Sequence, residues 1–236
     1  MIPEFTEEAR LKLRDRGEKS FFFFCKGLLG MADLAKMHRE LCDDLQGLGD
    51  WGTKWNLGVV CAFRASLKSS IATIGYPLWK GLYVKNHATR IIGSSFDNAK
   101  TNFLEKAQAF FRESDRADLL RWIFEDRLPQ GFDGWTESQL IFVRDDPFAL
   151  PAITIKGVNA DQEGAHVDLV VLDDPEGAEA QRSMAVQIDA RRAVAAAPPL
   201  LINPGVGQIL SVLTPHGIDP LAYRLLYENL DRKSVV

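Results

Sequence analysis

Lys68-Ser69 and, about a hundred residues later, Asp173-Asp174-Pro175-Glu176 are the parts of this sequence whose types could do chemistry on a phosphate. A lysine places a point charge against outer phosphates, a neighbouring hydroxyl can ligate magnesium, and a helix N-terminus adds unpaired backbone N–H groups. The segment Ala62-Phe63-Arg64-Ala65-Ser66-Leu67-Lys68-Ser69 lies where an apolar run gives way to a helical pattern, which is where a phosphate-binding loop has to be. It departs from the common G-x-x-x-x-G-K-S/T pattern, because Ala62 and Leu67 stand where the two glycines would be. A lone Lys-Ser pair of this kind is more often a plain helix start.

The second segment changes that balance. Asp168-Leu169-Val170-Val171-Leu172-Asp173 is an apolar run that ends in acids, the pattern by which a buried strand delivers a carboxylate to a magnesium ion. Asp173 is expected to hold the metal through its water shell. Asp174 or Glu176 is then expected to orient and deprotonate an attacking water, since phosphoryl transfer to water needs a base in line with the terminal phosphate. Acids here also suit a turn and a helix start. It is the two segments together, in one alternating domain, that point to a nucleotide hydrolase.

Bringing them together requires strands that end side by side. Apolar runs at 57–63, 89–94, 169–172 and 208–213 are strand candidates, and 138–143 with 152–155 suggest a hairpin across Asp145-Asp146-Pro147. Helical patterns cover 97–112, 179–197 and 219–229, with another running to Leu82 that Pro77 should kink. Upstream, Thr6 can cap a helix opening on Glu7 and Glu8, and residues 31–47 repeat apolar positions at Leu34, Met37, Leu41 and Leu45. Gly47, Gly49 and Gly52 then mark a boundary. The expectation is a helical lead over 1–52 and an α/β core over 53–236, its mostly parallel sheet covered on both faces and its ligand beyond the carboxyl ends of the strands.

Composition sets the bounds. With 236 residues, 46% of them hydrophobic, the chain can close one sizeable core but hardly two. A net charge of -4 argues against wrapping DNA unaided, though not against touching it through a few residues. Cys25, Cys42 and Cys61 have no CxxC spacing, so neither a disulfide framework nor a zinc site is expected. No run reaches membrane-spanning length, and no membrane role is expected.

In their order and spacing these segments resemble the large terminase subunit of viral DNA-packaging motors. The stretch from Phe63 to Ser70 looks like that family's deviant Walker A, which has an early arginine and dispenses with the second glycine. Gly164-Ala165-His166-Val167-Asp168 leading into Leu172-Asp173-Asp174-Pro175-Glu176 is similar to its Walker B. Ser211-Val212-Leu213-Thr214-Pro215, followed by His216 and Asp219, resembles its coupling motif. Phe24-Cys25-Lys26-Gly27-Leu28-Leu29-Gly30, with His38-Arg39-Glu40-Leu41-Cys42 after it, resembles its lead segment. Ala165-His166 stands where the family often has an arginine, so no trans-acting arginine is assigned.

The resemblance implies a P-loop NTPase fold of the RecA-like ASCE type, using ATP and Mg2+. Arg64, Ala65, Ser66, Leu67, Lys68, Ser69 and Ser70 would surround the phosphates, with Ser69 and Asp173 at the metal. By the same likeness Arg64 approaches the phosphates or a neighbouring acid, Thr214 senses the terminal phosphate, and the phenylalanines around Phe24 lie near the adenine. Implied partners are double-stranded DNA, a portal protein and a small terminase subunit, in a homo-oligomeric ring in the host cytoplasm, with a nuclease domain beyond residue 236. Whether the isolated domain is monomeric stays open. A helicase-like P-loop motor, or a nucleotide-binding module that no longer hydrolyses ATP, are the alternatives.

Overall fold

Helices come first along the chain. In α1 (Glu7–Lys19) the Thr6 hydroxyl accepts from the Ala9 N–H (3.2 Å) and Glu7 and Glu8 sit in the first turn, where the helix dipole favours acids. Ser20 then caps α2 (Phe21–Phe23), which runs into a π-helical turn (Phe24–Leu28), and α3 (Lys36–Gln46) follows. These observations come from a computed structural model that describes residues 6–48, 57–162, 166–177, 183–203 and 206–214. Gly49 and Gly52, the helix expected over 219–229 and the segment from Pro215 onward lie outside the described residues.

From residue 57 strands and helices alternate. β1 (Leu57–Cys61) leads through a loop into a π-helical turn (Ser69–Gly75) continuous with α4 (Tyr76–Tyr83). β2 (Thr89–Gly93) is followed by α5 (Phe96–Ala99), a π turn (Lys100–Leu104), α6 (Glu105–Arg112) and α7 (Ala117–Ile123). Then come β3 (Gln139–Leu140), β4 (Ile153–Gly157), β5 (Leu169–Asp173), α8 (Met184–Ala196) and β6 (Gln208–Leu213).

The strands form one mixed sheet in the order β1-β6-β5-β2-β4-β3. Every neighbouring pair is parallel except β3 with β4 at the edge. Register levels the strand ends: Cys61 pairs with Leu213, Val212 with Asp173, Asp173 with Gly93, and Gly93 with Gly157. Loops leaving β1, β6, β5 and β2 therefore emerge along one edge. Alternation along β5 sends Val171 into the core beneath the N-terminal helices and α4, and Val170 and Leu172 into the core beneath α8. A parallel sheet buried on both faces reads as continuous apolar sequence, which is why β5 and β6 were legible as runs. At Gly157 an added Cβ would meet the Phe96 backbone nitrogen at 2.7 Å, so glycine lets the start of α5 lie against the end of β4.

Several expectations shift in detail. The kink expected at Pro77 is absorbed: the π turn ends at Gly75, the Tyr76 N–H bonds to the Ile71 carbonyl, and Pro77 falls in the first turn of α4, where a missing N–H costs little. The strand expected over 138–143 pairs only at Gln139 and Leu140, and does so antiparallel to β4 as a hairpin requires. Beyond them the Val143 N–H bonds the Arg127 carbonyl (2.8 Å) and its carbonyl takes the Arg127 guanidinium (3.2 Å), so those groups are satisfied away from the sheet. The N-terminal helices share a core with the sheet: Phe21, Phe24 and Leu45 belong to the same buried cluster as Ile71, Ile91 and Val171.

Candidate active site

The loop between β1 and the helix that follows has the backbone a phosphate nest needs. Ala65 and Leu67 both take left-handed φ, 63° and 57°, and alternating hands of this kind turn successive N–H groups toward one concavity. Leu67 thus holds a conformation that favours glycine, at roughly 1–2 kcal/mol for a non-glycine residue. Lys68, 7% exposed, curls its Nζ back toward the Phe63 carbonyl at 3.5 Å. Arg64 is exposed at the mouth.

Across the sheet edge stands Asp173, the last residue of β5 and 4% exposed. It accepts a hydrogen bond from the Thr73 hydroxyl, and the nearby Ser69 hydroxyl also favours its charged form. Ser69 and Thr73 are four residues apart on one helical turn, so both hydroxyls face the strand tip. Burial pushes the Asp173 carboxyl up to about 6, with the negative charge of Asp174 adding to the rise, while the two hydroxyls and the Lys68 ammonium oppose it. The Lys68 loop and the acid-tipped strand therefore meet at one cleft, and the helical turn after the loop is bonded to the strand tip through Thr73.

After Asp173 the chain turns sharply, with left-handed φ at Asp174 (43°) and Gly177 (57°). The Asp174 N–H donates to the Val212 carbonyl (2.8 Å), and its Oδ1 accepts from the Thr214 N–H (3.2 Å). The tips of β5 and β6 are thus tied together. Between loop and tips lies a cleft of about 500 Å³ lined by Arg64, Ala65, Lys68, Ser69, Ser70, Asp173, Asp174 and Thr214, with Asn98 and Asn102 on the far wall.

Three of the expected site residues do not line this cleft. Glu176 is buried (6% exposed) and is not among the residues that line the cleft. The Leu67 side chain lines a neighbouring apolar pocket instead. Ser66, 5% exposed, lines a cleft on the α3 side, and its carbonyl meets His38 Nε2 at 3.1 Å. Because His38 Nδ1 accepts from the Ala35 N–H (2.8 Å), Nε2 carries the proton and donates to Ser66. His38 and Thr73 are the contributors that sequence reasoning missed. His166 is exposed at the opposite, amino-terminal end of β5, beside Asp168, while Gly164 and Ala165 lie outside the described residues. Phe21 and Phe24 are fully buried, Phe24 among Phe21, Tyr83 and Phe124, while Phe22 and Phe23 are half-buried.

The donor set suits a triphosphate with magnesium. Magnesium keeps several waters and needs few protein oxygens, and the Ser69 hydroxyl and the Asp173 carboxylate, both lining the cleft, would supply them. Among the described residues no group of three or more His, Cys, Asp or Glu is arranged to hold a metal, and no helix is long and apolar enough to cross a membrane.

A parallel sheet with a loop-bearing strand, an acid-tipped strand and a threonine-tipped strand inserted between them is the RecA-like fold. Among solved structures, the HK97 bacteriophage large terminase shares it, with a TM-score of 0.56 at 11% identity over 91% of this chain. The chain spans 41% of that protein's length. The Thermus phage P74-26 large terminase ATPase domain aligns with a TM-score of 0.43 and 18% identity, over 74% of this chain and 65% of that one. No protein-family model and no curated protein matches the chain.

Proposed function

We propose that this chain is the ATP-hydrolysing motor domain of a viral large terminase, coupling hydrolysis to the movement of double-stranded DNA into a procapsid. The observation that carries the reading is the single cleft in which Lys68 and Ser69 meet Asp173 and Asp174, with the Thr73 hydroxyl bonded to Asp173 at the strand tip. In this reading the nest at Ala65 and Leu67 and the Lys68 ammonium hold the outer phosphates, and Ser69 and Asp173 hold magnesium. Magnesium, when bound, spreads the charge that develops on the terminal phosphate. Asp174 is favoured over Glu176 as the group that orients and deprotonates water, because Asp174 lines the cleft and the buried Glu176 does not. Arg64, at the mouth, closes on the phosphates, and Thr214 senses the terminal one. Portal protein, small terminase subunit and sister copies in a ring, in the host cytoplasm, are the partners this reading carries with it.

The test begins with binding. Magnesium-ATP should stabilise the chain in a thermal melt by an amount set by its concentration over Kd, about 2.7 kcal/mol at about 100 times Kd. Lys68→Ala should remove that shift, and Asp174→Asn should keep it while losing phosphate release measured with linear duplex DNA. An undiminished shift in Lys68→Ala would overturn the site.

A further inference from the structure

Ser66 sits between the two strained residues of the phosphate loop, Ala65 (φ 63°) and Leu67 (φ 57°). Residues other than glycine keep a left-handed backbone only where the surroundings hold it there. The Ser66 side chain gives no such hold, since its hydroxyl is buried without a hydrogen-bond partner among the described residues. The hold comes from α3: His38 Nε2 meets the Ser66 carbonyl at 3.1 Å, and His38 Nδ1 accepts from the Ala35 N–H at 2.8 Å. His38 is 8% exposed, and its helix is rooted in the core by Cys42 and Leu45, both fully buried. A flipped ring would leave the Ala35 N–H without its acceptor, so the tautomer that donates to Ser66 is fixed by the helix that carries it.

We infer that His38 is a positioning residue of the nucleotide site, holding the phosphate loop in its anion-binding shape before the nucleotide arrives. The inference rests on the nucleotide reading above and adds to it a residue from outside the loop, on the helical lead. In a planar trans peptide the Ser66 carbonyl and the Leu67 N–H point in opposite directions. Ser66 lines the cleft between the loop and α3, whereas its neighbour Ala65 lines the phosphate cleft, with Lys68 common to both. Drawing the Ser66 carbonyl toward α3 thus turns the Leu67 N–H toward the phosphate side. Donors fixed in advance need no ordering when the anion binds, so loss of this latch shows as weaker phosphate binding. The coupling also runs outward, because any shift of α3 reaches the nest through one imidazole.

Side chains that keep both, one or neither of the two bonds test this, with magnesium-ATP affinity read by titration calorimetry and stability by urea denaturation without nucleotide. His38→Ala keeps neither and should weaken magnesium-ATP roughly tenfold, about the worth of one hydrogen bond to a charged group. His38→Gln carries an acceptor for Ala35 and a donor for Ser66 on one amide, and should restore affinity to near that of the unaltered chain. His38→Asn is long enough for the Ala35 bond alone, so it should regain stability and stay weak for magnesium-ATP; it also stands in if His38→Ala does not fold. Leu41→Ala, half-buried on the same helix, should lower stability and leave the affinity unchanged. Affinity that follows stability, so that Leu41→Ala weakens magnesium-ATP or His38→Asn recovers it, overturns the positioning role while the nucleotide site stands. Unchanged affinity in His38→Ala does the same. Lys68→Ala that binds magnesium-ATP as well as the unaltered chain removes the nucleotide site, and the role of His38 with it.

Discussion

Ala65 holds a left-handed backbone, φ 63°, at an exposed position in the phosphate loop. Its side chain packs against little, so substitution there reads the backbone itself. Ala65→Gly should leave stability within about 1 kcal/mol or raise it, because relief of the αL strain offsets the extra freedom of the unfolded chain. Ala65→Val should lower it by about 1–2 kcal/mol, since a β-branched side chain is poorly tolerated at positive φ. Chemical denaturation of the three proteins checks the order. At this scale the meeting of Lys68, Ser69 and Asp173 at one cleft was legible because all three lie at or just past strand ends. Thr73 was not: it reads as one more helical position until the fold puts it one turn beyond Ser69 and against Asp173. His38 was equally silent, since its role depends on a contact 28 residues away.

Among elements, the hydrophobic runs marked β1, β2, β5 and β6 to within about two residues, as burial on both sheet faces makes them continuous. What the sequence did not disclose was where ladder bonds stop. β1 was read to Phe63, yet its last ladder-type bond is from the Ala62 N–H to the Leu213 carbonyl, and Phe63 is 65% exposed. The π turns were equally hidden, because a shift in hydrogen-bond partner answers to packing and not to residue type. Arg127 shows the same dependence on context. It is 3% exposed, and its guanidinium donates to the carbonyls of Gly81 (2.9 Å), Leu82 (3.0 Å) and Val143 (3.2 Å), closing the end of α4 and diverting the chain after β3. Arg127→Ala leaves those carbonyls buried and unpaired, so it should cost about 2–4 kcal/mol in urea denaturation. Arg127→Lys should recover only part of this, because an ammonium cannot reach three carbonyls with a planar fork.

For the molecule as a whole, alternation of strand and helix announced a mostly parallel sheet, whereas the order β1-β6-β5-β2 could not be read from local pattern, since it is set by crossovers. Acid sensitivity also belongs to this scale. His87, at the sheet edge opposite the cleft, has its ring 8% exposed with Nδ1 3.7 Å from the Asp168 carboxylate. Burial pushes its pKa down to about 4; Asp168 opposes the shift and Lys80 reinforces it. The unfolded chain binds this proton near pH 6.5, so between about 6.5 and 4 the unfolded state holds more protons than the folded one. Stability present at neutral pH is then lost as pH falls through that window, by an amount on the order of 2–3 kcal/mol. His87→Gln should flatten the decline measured by denaturation between pH 7 and pH 5, and an unchanged slope would assign the loss to other groups.

Asp174 grips the backbone of Thr214 on the adjoining strand. The same carboxylate lines the cleft, so one side chain serves both places. Removing that acceptor would release the Thr214 amide from the tip of β5, so a substitution at Asp174 acts on the sheet edge as well as on the cleft.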